Sequence, residues 1–210
     1  MKTYSIDHLI HEVRLKYDEF SSNGCDMISF QDDNDMDAVI LSCIPPAYKF
    51  VILNAENSIL EGKNAENISE LTIDDDLVGH ITLPNDFLRG ITLRLSSWKS
   101  SASNIIDENS PEYRMQSDPY TCGTFQCPVV ALVHTAKGKE LEFFKAKTKD
   151  DAIRSFVYVA DLPTEFSEVF IPERISEAFI YYVAALTATT FRDDVANDFF
   201  KIAKGLLGIG

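Results

Sequence analysis

The chain is poor in cysteine: Cys25, Cys43, Cys122 and Cys127 are the only four in 210 residues. Thiols so few and so scattered cannot form the disulfide framework of a secreted mini-domain, so free, buried or half-buried cysteines are expected. Cys122 and Cys127 stand closest, with four residues between them. No second pair follows, and the nearest histidine, His134, falls in a strand-like run, so a zinc site is not expected. No run approaches the roughly 20 apolar residues that a membrane span needs. The opening MKTYSIDHLIHEV has no long apolar stretch and carries acids early. A signal peptide is therefore not expected, and synthesis inside the cell is.

Catalytic signatures are also missing. There is no Gly-rich phosphate loop, no Gly-x-Ser-x-Gly elbow and no His-Glu-x-x-His. His8 and His11 are three apart in a helical stretch but lack a third ligand. Asp74-Asp75-Asp76 lacks the six or so oxygens that a calcium loop arranges, and reads as a solvated turn. Paired carboxylates occur throughout so acidic a chain and point nowhere in particular. No catalytic, cofactor-binding or metal-binding residue is expected.

Positive charge is in short supply: 19 Lys and Arg against 33 Asp and Glu give a net charge of −14. Residues 1–80 hold 16 acids and 5 bases, whereas residues 81–210 hold 17 and 14. Such a chain is not drawn to nucleic acid, whose phosphates are met by Lys and Arg. Solubility is one consequence of the excess; a surface to which DNA does not stick is another.

What is present is a change of period along the chain. After Ser5, an N-cap residue, the apolar positions Ile6, Leu9, Ile10, Val13, Tyr17 and Phe20 recur at helical spacing, and Asn23-Gly24 supplies a stop. QDDNDMD reads as a solvated loop and helix start. In MDAVILSCIPPAYKFVILNA the positions Met36, Val39, Ile40, Cys43, Ala47, Phe50, Val51 and Asn54 also recur at three and four. Pro45-Pro46 in its middle predicts two short helices meeting at a kink. From about Leu71 the period becomes two, in VGHITLP, GITLRLSS, PVVALVH, ELEFFKAK and IRSFVYVA, with HTAKGKE as a hairpin turn. Helical spacing returns after Pro172, with Ile175, Ala178, Phe179, Tyr182, Val183 and Leu186 as the buried stripe. Ala184, Ala185 and Ala188 permit close approach. Across an Arg-Asp-Asp connection, Val195, Phe199, Ile202, Ala203 and Leu206 mark a last helix, antiparallel to the one before.

The order helices, strands, helices predicts an α+β fold, a helical body carrying an inserted antiparallel β subdomain. The predicted divisions are 1–68 for the N-terminal helices, 69–171 for the β insertion and 172–210 for the C-terminal helical hairpin. Within the insertion, residues 100–128 form a loop long enough to be functional or ordered by a partner. Trp98, at a strand end, caps the core or anchors an interface. Tyr113, Arg114 and Tyr120, on the loop, have the residue types that dominate interface hot spots.

Three segments carry a family resemblance: LPNDFLRGITLRLSSWKSS, SPEYRMQSDPYTCGTFQCPVVALV and FIYYVAALTATTFRDDVANDFFKIAKGLL. In their order and spacing they resemble the neck ring proteins of crAss-like and related tailed bacteriophages, which are head-to-tail connector, or adaptor, subunits. The resemblance covers roughly residues 70–208. It implies a virion structural protein of the neck or tail, not an enzyme, assembled in the host cytoplasm. Its subunits would close a ring of about twelve beneath the portal protein, meet further neck and tail ring proteins, and pass genome DNA through an acidic lumen. No cofactor and no membrane are implied. LPNDFLRGITLRLSSW then reads as framework, with Arg89 and Trp98 tying a strand to the body or to a neighbouring subunit. Two readings of other classes stand beside this one. One is a small intracellular enzyme whose pocket is the 100–128 loop. The other is a module that docks an acidic face on a basic partner, with marked salt dependence.

Overall fold

The computed structural model describes residues 2–21, 33–65, 71–136, 138–191 and 195–209. Strand β1 (Lys2–Ser5) leads into α1 (Ile6–Ser21) and α2 (Asp33–Asn54). Next come β2 (Lys63–Asn64), β3 (Leu71–Ile73), β4 (Gly79–Thr82), β5 (Phe87–Leu95) and β6 (Ile105–Asp107). The short helix α3 (Pro111–Arg114) precedes β7 (Val129–Thr135), β8 (Gly138–Phe144) and β9 (Ile153–Ala160). β10 (Glu168–Ile171), α4 (Glu173–Phe191) and α5 (Ala196–Leu207) complete the chain. The fold is α+β. One compact unit comprises Met1–Glu61 with Leu162–Gly210, and the other Gly62–Asp161.

In the helical unit, α4 is the shared partner of α1, α2 and α5. Small residues make that possible: Ala178, Ala184, Ala185 and Ala188 are buried beside Ile175, Phe179 and Val183. Helix α1 starts where Ser5 Oγ accepts the His8 N–H at 3.3 Å, the cap expected there. It buries Leu9, Val13 and Tyr17. The Tyr17 hydroxyl donates to the Ala184 carbonyl at 3.2 Å, and its ring meets Phe199 edge-on. The Phe20 side chain, the Asn23-Gly24 stop, Cys25 and the connection at 192–194 lie outside the described residues.

Helix α2 differs from expectation. It runs unbroken through Pro45 and Pro46 instead of dividing into two. A proline inside a helix costs about 3 kcal/mol through its missing N–H and its clash with the preceding turn. Burial of Ile40, Ile44, Ala47, Tyr48, Val51 and Ile52 along one face opposes that cost. Because the helix is continuous, Met36–Asn54 is long and apolar enough by composition to cross a membrane, which two short helices would not be. Its buried face packs on α4, with Tyr48 edge-on to Phe179, as in a core helix. In α5, Leu207 is buried and the expected Leu206 is exposed.

The terminal strand pair belongs to the helical unit. β10 runs antiparallel to β1, from Lys2↔Ile171 to Ser5↔Glu168. The insertion therefore ends at Asp161 rather than at 171, and begins at Gly62 rather than at 69. Both strands are four residues long, too short for a periodic signal to stand out.

The inserted unit holds two sheets, β2-β9-β5 and β3-β4-β8-β7-β6. Ile81, Leu93, Leu95, Phe143, Phe156 and Tyr158, drawn from both sheets, share one core. β7 and β8 form the hairpin expected at HTAKGKE, pairing from Val129↔Phe144 to Thr135↔Gly138; Lys137 lies outside the described residues. The insertion is not wholly antiparallel, since β6 pairs parallel to β7. The 100–128 segment is likewise not a plain loop, for it contains β6, α3 and a 3-10 turn at Met115–Ser117.

Gly79 lies directly over the buried Phe143 ring, where a Cβ would come within 2.0 Å of Cζ. A ring locked in a packed core cannot yield that distance cheaply. Gly79→Ala is expected to lower stability by about 1–3 kcal/mol, read as a reduced midpoint in denaturant unfolding; an unchanged midpoint would contradict this packing.

Candidate functional site

The polar turn of LPNDFLRG is a clamp. Asp86 Oδ2 lies 2.6 Å from Lys63 Nζ, and Asp86 Oδ1 accepts the Tyr158 hydroxyl at 3.0 Å. Lys63 also sits over the Tyr158 ring at 5.2 Å. Through its backbone, the Asp86 carbonyl accepts the Asp161 N–H at 2.7 Å. One residue thus holds Lys63, where the chain enters the insertion, and Asp161, where it leaves. Burial works against the Asp86 charge, but the hydrogen bonds from Lys63 and Tyr158 outweigh it and hold the carboxyl below its ordinary value. Both carboxylate oxygens serve protein donors and Tyr158 is buried, so the turn is framework, as the sequence suggests.

The 100–128 segment is built up over β7 and β8. Ala102 exchanges two backbone hydrogen bonds with Leu93. Glu108 accepts the His134 N–H at 2.8 Å and lies 3.1 Å from its Nδ1. Ser110 caps α3 by accepting the Tyr113 N–H, with Pro111 in the first turn. Gln116 Oε1 accepts the Gly123 N–H at 2.8 Å. A Cβ on Gly123 would come within 2.7 Å of the Phe144 carbonyl, so only glycine passes there. Beneath these contacts lies a recess of about 420 Å³ whose lining includes Ser101, Ser103, Asn104, Gln116, Thr121 and Cys127. Glu112 and Cys127 are its only lining residues with an ionisable side chain. The recess thus combines hydroxyl and amide groups with one thiol, Cys127, and one carboxylate, Glu112.

The five interface residues expected from sequence take different places. Trp98 is a core residue: it is 2% exposed, donates Nε1–H to the Lys145 carbonyl at 3.1 Å and meets Phe143 edge-on. Of the two places open to it from sequence, it takes the core. Arg89 is half-buried on β5 opposite Val159, and burial draws its guanidinium pKa down. Tyr113 turns inward, with its hydroxyl donating to Glu142 Oε2 at 2.6 Å and its ring edge-on to Phe144. Arg114 is exposed, and Tyr120 is 97% exposed. Arg114 and Tyr120 are thus both exposed on one segment, while Tyr113 fastens that segment to β8. His8 stacks on Tyr4, and no group of metal-ligating residues forms among the described residues. Cys43, Cys122 and Cys127 are free thiols.

A further cluster lies in the helical unit. Phe50 of α2 stacks on Tyr182 of α4 at 4.1 Å and 11°, and Phe200 of α5 meets Tyr182 edge-on at 5.2 Å. With Asn197, Lys201 and Lys204 these rings line a recess of about 580 Å³. Tyr182 is half-buried rather than part of the closed core, and that burial raises its hydroxyl pKa. Three helices separated in sequence build this recess, so neither it nor the Asp86 clamp could be found from local spacing. No protein-family model matches the chain, and no curated protein matches it in sequence.

Two measurements follow from the ionisable groups. Asp86→Asn is expected to cost about 1 kcal/mol at neutral pH, as for loss of a charged hydrogen bond partly open to water. Because the folded carboxyl titrates below its unfolded value of 3.8, the wild-type advantage is present above that value and lost as pH falls through the folded one. Denaturant melts of the two proteins should therefore converge in acid; a constant gap would contradict the clamp. The Tyr113 hydroxyl is pushed up to about 12 by its hydrogen bond to Glu142, by burial, and by the charges of Glu142 and Glu108. Its contribution is full below the ordinary value of 10 and lost as pH rises through 12. A spectrophotometric tyrosine titration should lose a late step in Tyr113→Phe; loss of an ordinary step instead would place the hydroxyl in solvent.

Proposed function

We propose that this chain is a ring-forming head-to-tail connector of a tailed bacteriophage. In this role it joins the portal protein to the tail and surrounds the channel through which genome DNA passes. The observation that carries the reading is the display of Arg114 and the 97% exposed Tyr120 on a hydrogen-bonded segment of the inserted unit. Such residues contribute little to their own fold and are the types that dominate protein interfaces. The resemblance in residues 70–208 supplies the family, and the two-unit architecture suits it: one unit can form the ring while the other reaches a neighbour. The net charge of −14 suits a lumen along which DNA slides without being held. Its partners are further copies of itself, the portal protein and other neck or tail rings, and its place is the virion neck or tail after assembly in the host cytoplasm. It requires no cofactor and is not an enzyme.

Negative-stain imaging of the purified chain, alone and mixed with its cognate portal, tests this. Closed rings of about twelve subunits stacked coaxially on the portal are expected. Small particles in both samples, without portal binding, would contradict it.

A further inference from the structure

A ring made by head-to-tail contacts needs two unlike surfaces on each subunit, a projecting group and a receptor that fits it. Both are present. Tyr120 is the projecting group, 97% exposed on a hydrogen-bonded turn. Asp118 Oδ1 accepts the Tyr120 N–H at 2.9 Å, and the Asp118 carbonyl accepts the N–H groups of Thr121 and Cys122. Thr121 Oγ1 donates to the Met115 carbonyl at 2.7 Å. A side chain held out in this way loses little backbone freedom on binding.

The receptor is the aromatic recess of the helical unit. Phe50, Tyr182 and Phe200 offer ring faces and edges in about 580 Å³, and two exposed lysines stand at its rim: Lys204, and Lys201, which lies 3.3 Å from Asp198 Oδ1 on its own helix. Charge favours the match. Residues 100–128 carry four acids, Asp107, Glu108, Glu112 and Asp118, against the single base Arg114. In a chain of net charge −14 two copies repel each other overall, so a local pairing of acid with lysine selects where they touch.

We infer that Tyr120 of one copy packs into the Phe50–Tyr182–Phe200 recess of a neighbouring copy, with Asp118 facing Lys201 and Lys204. This rests on the ring-forming reading and supplies its subunit contact. Tyrosine suits such a site because its ring fills an aromatic pocket while its hydroxyl stays at the wet rim. The contact is heterologous, so each copy gives one Tyr120 and offers one recess, and repetition either closes a ring or extends a filament.

The test uses the full chain on its cognate portal, with Tyr120→Ala, Lys201→Glu/Lys204→Glu, and the latter combined with Asp118→Lys. All the substituted side chains are on the surface, and circular dichroism checks that each variant keeps the wild-type spectrum and melting behaviour. Ring occupancy on the portal is scored by imaging, and neighbour contacts are mapped by a photo-crosslinking residue at position 197, an exposed position of the recess lining. Tyr120→Ala and the lysine reversal are each expected to lower ring occupancy at least tenfold, with part of the loss recovered in the charge-swapped triple variant. Crosslinks from position 197 should fall on residues 118–121 of another copy. Wild-type-like rings in the variants, or crosslinks only to portal, would overturn this contact and leave the connector reading standing. Absence of rings in the wild type would overturn both.

Discussion

An insertion can fold inside another unit only if its two ends leave and return at neighbouring points. Here that closure is made by the pairing of Lys63 with Tyr158 and Asn64 with Val157, and by Asp86, which binds Lys63, Tyr158 and Asp161 together. With the ends joined, residues 62–161 behave as a closed loop whose internal strands can pair without pulling on the helices. β1 and β10 perform the corresponding task for the helical unit, bringing its first residues beside the point where the chain re-enters α4. Each unit thus begins with a short antiparallel seam, and the larger elements are arranged from those seams.

Two consequences bear on function. Burial of Trp98 and Phe143 gives the inserted unit a core of its own, with sheet to spare beneath the 100–128 segment. The hydrogen bonds of Glu108 and Tyr113 then tie that segment to the sheet, and Gln116 closes it on itself at Gly123, while Tyr120 stays exposed. In the helical unit, alanines on α4 allow three helices to pack close, and the half-buried Tyr182 of the same helix stacks on Phe50 and meets Phe200 edge-on in an open aromatic recess.

Long periodic elements were legible from sequence. The spacing of Leu9, Val13 and Tyr17 identifies α1, and alternation in IRSFVYVA identifies β9, because each pattern runs long enough to outweigh chance. β6 and β10 were not legible, being three and four residues long. Pro45-Pro46 misled through local energetics: the proline penalty is real, but burial along α2 outweighs it, and burial is not a local property. Trp98 could not be assigned between core and interface until the positions of Phe143 and the Lys145 carbonyl were known. Tyr113 and Tyr120 are alike in sequence context yet face opposite ways, and the Glu142 that separates their roles lies on another strand. The Asp86 clamp and the Phe50–Tyr182–Phe200 recess depend wholly on tertiary placement.

Assembly is where a connector differs from a small enzyme or a docking module. Native mass spectrometry of the full chain bound to its cognate portal tests it most directly, because it counts subunits rather than judging their outline. A single species with a fixed number of chains near twelve per portal assembly is the predicted result. A distribution of one or a few loosely attached chains, or none, would contradict it.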